Sequence, residues 1–298
     1  LPGENGFDYS TMNWAKLTNR GYELSLSTVN VKTKDFRWVM DFNLAHNKSK
    51  INRLNVRDNS YEPSREGYSV GAVFSLKTAG LDENGLQMFY NKQGEKVSFN
   101  DFFGLEYGYM MGGLIPFLKS NLSAEEYRNL FTYEGTTEPK FTGGWINRFY
   151  YKNFDLTVSA SFVLDQTVQE QPFYNPVQTS PGQNYSRRMS QIWSPDNTSG
   201  KYPRIMGTYT EGEENWAYQW LGMLDPGNSY RKYDYWFKKM SYMRINSIRL
   251  GYTFPERLLG HIGFSSARIS FEARNPFVFG SSYKGYFDPE TYGNIYTQ

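Results

Sequence analysis

The residues in this chain best suited to making or breaking bonds are a few clustered acids and two histidines. Glycoside hydrolysis needs two carboxylates set across a cleft, one as acid and the other as nucleophile or base. Glu213 and Glu214 in "EGEENW", and Asp288 and Glu290 in "FDPETYG", are the available pairs. Each pair is close in sequence and loop-like, where carboxylates are ordinarily solvated. His46 and His261 lie far apart, and neither has a neighbour that completes a triad or a metal-ligand spacing. No cysteine is present, which removes disulfides, thiolate metal sites and cysteine nucleophiles. The glycine pairs at 112–113 and 143–144 lack the lysine spacing of a phosphate loop. The expectation is a protein with no catalytic residue, no metal and no cofactor.

Binding chemistry is better represented. Trp216, Tyr218, Trp220, Tyr230, Tyr233, Tyr235 and Trp236 crowd one stretch. Flat rings of this kind stack on sugars or cover peptide side chains. Trp216, Tyr218 and Trp220 sit furthest from the next regular segment and are the substrate-binding candidates. Tyr233, Tyr235, Trp236 and Phe237 adjoin that segment. They read as the aromatic girdle where a strand enters a membrane or as loop packing, with substrate contact as the alternative.

The segments that must position these rings alternate with period 2. In "RGYELSLSTVNVKTKDFRWVMDFNLAHN", residues 20–47, Tyr22, Leu24, Leu26 and Thr28 share one face; Phe36, Trp38, Met40, Phe42 and Leu44 share one in the second half. Residues 141–164 repeat the pattern, with Phe141, Gly143, Trp145, Asn147 and Phe149, then Phe154, Leu156, Val158, Ala160 and Phe162. They predict a hairpin turning near Lys152 and Asn153. A third pair comprises Met243 and Ile245, then Ile248, Leu250 and Tyr252, followed by Ala267, Ile269, Phe271 and Ala273. The phase switch inside it predicts a β-bulge near Asn246 and Ser247.

Short links near 31–35, 152–153 and 253–264 alternate with very long ones near 47–140 and 165–236. Compact soluble domains favour connections of roughly 4–6 residues. Transmembrane barrels combine short turns at one end, long loops at the other and strands of about 9–11 residues. The fold class expected is therefore all-β: an antiparallel transmembrane β-barrel segment with short periplasmic turns and long extracellular loops. "YSVGAVFSLKTAG" also alternates. As a spanning strand it would require an odd number of further crossings before Phe141, so it reads as a hairpin arm inside the first long loop. Ser123 and Glu126 predict a capped helix there, and "YGYMMGGLIPFL" a folded loop lining.

Composition supports this class. Only 39% of the 298 residues are hydrophobic and mean hydropathy is −0.66, yet 18% are aromatic, which disordered chains are not. No apolar run reaches the ~18 residues of a membrane helix. A formal charge of +2 offers no single-sign field for nucleic acid. "LPGENGFD" has no leader features, so the chain reads as an interior piece. The class alternative is a soluble β-sandwich carbohydrate-binding module, whose apolar strand faces would meet a second sheet.

Three blocks, "NRGYELSLSTVNVKTKDFRWVMDFNLAHNKSKI", "PKFTGGWINRFYYKNFDLTVSASF" and "YWFKKMSYMRINSIRLGYTFPERLLGHIGFSSARISFEARNPFVF", together resemble the C-terminal barrel region of SusC/RagA-type TonB-dependent outer-membrane transporters. Gly21, Glu23 and Leu24, then Phe141, Gly143 and Gly144, then Arg244, Leu250, Gly251, Tyr252 and Pro255 carry the likeness. It runs from about residue 19 to 290. The resemblance implies a plugged barrel of ~22 strands, of which residues 1–298 are the C-terminal part. The plug, the TonB-contacting segment and earlier strands would lie upstream, and a final strand downstream. It further implies import of an oligosaccharide or oligopeptide across the outer membrane of a Gram-negative, Bacteroidetes-like cell. The implied partners are a SusD-like surface lipoprotein, the TonB complex and outer-membrane lipid. Many relatives carry an acidic Asp/Asn/Gly run before the second block. Here that place holds "EEYRNLFTYEGTTEPKFTGG", with Glu134 and Glu138 but no calcium-loop spacing.

Overall fold

The computed structural model describes residues 15–54, 62–110, 115–176, 182–205, 229–260, 263–280 and 289–290. In chain order, β1 (Ala15–Lys32) and β2 (Phe36–Leu54) form the first long hairpin. The following connection holds β3 (Ala72–Ser75), β4 (Thr78–Leu81), β5 (Gln87–Tyr90), β6 (Lys96–Val97), α1 (Phe99–Phe102), β7 (Leu105–Met110), β8 (Ile115–Ser120), α2 (Ala124–Arg128) and β9 (Thr132–Thr136). Then come β10 (Phe141–Tyr151), β11 (Phe154–Gln169), β12 (Phe237–Thr253), the short α3 (Glu256–Leu259) and β13 (Arg268–Phe279).

Six of these strands make one sheet in the order β1-β2-β10-β11-β12-β13, every neighbour antiparallel. Directly paired residues project to the same side of a sheet. Leu26 faces Phe42, Phe42 faces Trp145, Trp145 faces Ala160, Ala160 faces Ile245 and Ile245 faces Phe277. One rung higher or lower the same holds for Leu24, Leu44, Gly143, Phe162, Met243 and Phe279. The result is an unbroken apolar surface six strands wide. Ile269 is 64% exposed, Phe271 72% and Leu24 51%, so no second sheet covers this surface among the described residues. A sandwich would bury these side chains, and the structure does not.

The opposite face is polar and self-satisfied. Asp41 pairs with Arg148 and accepts a hydrogen bond from Ser27 Oγ at 2.7 Å. Arg268 donates to Asp155 at 2.7 Å, Ser159 and Ser247 share a 2.9 Å bond, and the Arg37 guanidinium lies 4.3 Å over the Tyr150 ring. The charges that the alternation places inward therefore pair largely among themselves. Lys152 closes the β10–β11 hairpin with φ +50°, a left-handed conformation that lets a two-residue turn connect twisted strands. Between Ile245 and Ser247 the register slips on both flanks, leaving Asn246 as the extra residue of a bulge. Gly143 is required by close approach, since a Cβ there would stand 2.3 Å from the Asn43 carbonyl oxygen.

Ala72–Ser75 pairs only with Thr132–Thr136, outside the large sheet, so this segment is an arm within the first long connection and not a crossing. Ser123 caps α2 in a reciprocal capping box with Glu126. Leu105–Met110 (β7) pairs antiparallel with Ile115–Ser120 (β8). The strands are longer than a membrane needs: β1 has 18 residues, β2 19 and β11 16, against about 9–11 to cross. The surplus stands beyond the apolar band at the long-connection end. No helix among the described residues is long and apolar enough to cross a membrane.

Candidate functional site

The two long connections fold on each other into a single cap over one end of the sheet. Its core joins Leu76, Phe89, Phe99, Phe102, Phe103 and Tyr127 from the first with Tyr174, Ile192, Tyr230, Tyr233 and Trp236 from the second. Phe89 stacks on Phe102 at 4.3 Å and meets Tyr233 edge-on at 5.3 Å, geometries that aromatic quadrupoles favour. A backbone clasp fixes the join. Leu76 N–H donates to Lys232 O at 2.8 Å, Asp234 N–H donates to Leu76 O at 3.1 Å, and Thr78 Oγ1 donates to Asp234 Oδ1 at 2.5 Å. Trp236 is fully buried with Nε1 donating to Tyr230 O at 2.8 Å. The belt reading of Tyr233 and Trp236 is thereby corrected: these rings meet protein, because the first connection supplies enough apolar surface to enclose them.

Arg188 anchors the second connection. It pairs with Glu170, donates to Tyr202 Oη at 2.8 Å, and its guanidinium lies 4.5 Å over the Phe173 ring. Burial disfavours its charge, but the bonds to Tyr202 and Glu170 outweigh this and raise its pKa.

Below the cap, the sheet has a notch. β10 has 11 residues, and its pairing with β2 stops at Thr142 and Ala45, whereas β2 and β11 continue upward. The gap leaves a cleft of about 650 Å³. It is lined by His46 to Lys50 of β2, by Tyr68, by Tyr133 to Thr136 and Glu138 to Lys140, and by Asp165, Thr167 and Lys239. Tyr68 and Tyr133 lie ring to ring at 4.8 Å. Ser49 Oγ donates to Glu138 Oε2 at 2.6 Å, while Glu134 pairs with Lys77 and accepts from Ser75 Oγ at 2.5 Å. Burial, then Tyr68 and Glu138, raise the Tyr133 phenol pKa, so it stays a neutral hydroxyl. Sequence reasoning singled out Glu134 and Glu138 but missed His46, Tyr68 and Tyr133 as neighbours. Separate segments build the cleft, and no local spacing signals it.

Trp216, Tyr218 and Trp220 lie outside the described residues, as do Glu213, Glu214, His261 and Asp288. Glu290 accepts from Arg244 Nε at 3.0 Å, which ties it to the inward face of β12. Among the described residues no group of acids and histidines converges as a metal site.

No family model matches the chain. It is 27% identical over 308 residues to TonB-dependent receptor P3 of Formosa agariphila, across 97% of this chain and 27% of that protein. It is 24% identical over 301 residues to TonB-dependent receptor SusC of Bacteroides thetaiotaomicron, across 98% of this chain and 26% of that one. The chain is similar to a segment of SusC and of other TonB-dependent receptors. It spans about a quarter of the length of the relatives it matches. Among solved structures, a RagAB peptide importer in its closed-closed state superposes with a TM-score of 0.63 at 20% identity, covering 96% of this chain and 28% of that chain. A second RagAB peptide transporter structure gives 0.62 at 20% identity. These superpositions establish the fold: the six-stranded sheet is a piece of barrel wall. The matched relatives are named receptors, not enzymes.

Proposed function

We propose that the chain is the C-terminal barrel part of an outer-membrane importer that takes up a nutrient, an oligosaccharide or oligopeptide, in a TonB-dependent manner with a SusD-like surface lipoprotein. One observation carries this: a sheet whose apolar face is continuous and exposed while its other face is polar and paired. Such a sheet requires hydrocarbon on one side and a wet lumen on the other. The names of the matched relatives support import, and the peptide-importer neighbours share its fold.

In this reading the wall does no bond chemistry. The inward Asp41–Arg148 and Asp155–Arg268 pairs give the lumen a polar lining without strong net charge, so a passing substrate meets no deep electrostatic trap. The aromatic cap, held by the clasp at Leu76, includes Tyr202 and Tyr230, which lie on either side of residues 206–228 in the sequence. Trp216, Tyr218 and Trp220 are proposed to stack on the substrate. The test is uptake by cells carrying the full transporter with residues 210–224 deleted. The expected result is lost uptake with normal barrel assembly. Undiminished uptake would reject the role of these rings, and TonB-independent uptake by the intact protein would reject the import mechanism itself.

A further inference from the structure

We infer that the outward rim of the notch is a binding site for the phosphate of an anionic lipid headgroup. The inference rests on the outward face being lipid-facing. Tyr22, His46 and Phe141 form an aromatic row across three strands, with centroid separations of 5.0 Å and 5.1 Å. Below it lie Leu24, Leu44 and Gly143. Directly above it Arg20 and Lys48 are cross-strand partners, followed by Thr18 opposite Lys50. Period 2 keeps Arg20, Lys48 and Lys50 on the lipid-facing side. The Lys140 ammonium lies 5.9 Å from the Phe141 ring centre. Lys239 closes the far wall of the cleft.

Two cations directly opposite each other destabilise an antiparallel pair. Among the described residues Arg20, Lys48 and Lys50 have no carboxylate partner. The cleft's own acids do not relieve them: Glu138 reaches back to Ser49 on the inward side, Glu134 is held by Lys77, and Asp165 lies across the cleft at the bulge of β11. The rim therefore calls for an anion from outside. Its place one rung above an aromatic row is where headgroups sit when rings mark the membrane boundary. A cleft of about 650 Å³ admits a phosphorylated headgroup, and lysines hold phosphate as point charges.

The test uses the full-length transporter in nanodiscs of phosphatidylcholine doped with bisphosphorylated lipid A, with retained lipid read by native mass spectrometry. Wild type is expected to retain lipid A in preference to its dephosphorylated form. Retention should weaken about fivefold for each charge lost in K48Q and K50Q, and return in K48R/K50R. Equal retention by K48Q/K50Q overturns the inference. Inorganic phosphate alone is expected to give no thermal stabilisation in undoped discs; stabilisation equal to that by lipid A would make this a free-anion site and overturn the lipid assignment. Should K48Q/K50Q not assemble, wild type still decides. Retention must fall as ionic strength rises from about 0.05 to about 0.5 M, and salt-independent retention overturns the site. Wild-type uptake is scored separately, so absent uptake with lipid preference intact sinks only the import reading.

Discussion

At the scale of single residues, Arg188 does more than its exposure suggests. It neutralises Glu170, whose side chain is only 8% exposed, while stacking on Phe173 and Trp236. R188M leaves a buried carboxylate without its cation, and the expected cost is about 3–5 kcal/mol of local stability. The double variant R188M/E170Q should recover most of this. Hydrogen-exchange protection around residues 186–204 measures both. Glu126 gives a pH signature. Its bonds from the Ser123 hydroxyl and backbone N–H hold its pKa below the ordinary carboxylate range. A depressed folded-state pKa means the stabilisation is complete above the unfolded value, about 4.3, and is lost as pH falls through the lower folded value. Amide protection in α2, the intrinsic exchange rate divided by the observed one, should therefore fall below about pH 4, and E126Q should flatten that response.

Among the elements, the cap shows where sequence is legible and where it is not. Period-2 alternation fixed each strand of the wall because one face meets a single environment along its whole length, and the phase switch at Asn246 marked the bulge for the same reason. The capping box was readable because Ser123 and Glu126 are three residues apart. Burial of Tyr233 and Trp236 was not readable. Their partners Phe89 and Leu76 lie more than a hundred residues upstream, and no local pattern records which loop a ring will meet. The notch was hidden likewise, since it depends on β10 being shorter than both neighbours. Because Phe89 is buried among Phe99, Phe102, Phe103 and Tyr233, F89A should cost the cap about 3–5 kcal/mol. Proteolysis of both long connections should then quicken, while heat-modifiable migration of the barrel on gels stays unchanged.

For the whole molecule, neighbouring positions on one strand should respond oppositely to the same change. Leu26 faces outward and Ser25 inward. L26R places a cation toward hydrocarbon and is expected to cost about 2–4 kcal/mol, whereas S25R enters a polar lumen at little cost. Urea titration of the full-length protein folded into vesicles distinguishes them, and equal costs would contradict the assignment of the two faces. The clasp between Leu76 and Asp234 carries a further consequence, for modularity. Neither long loop owns a complete hydrophobic interior, so they are inherited as one unit. A chimaera that receives only one of them in a related TonB-dependent receptor should display a molten, protease-sensitive surface, and only a joint transplant should carry the folded architecture across.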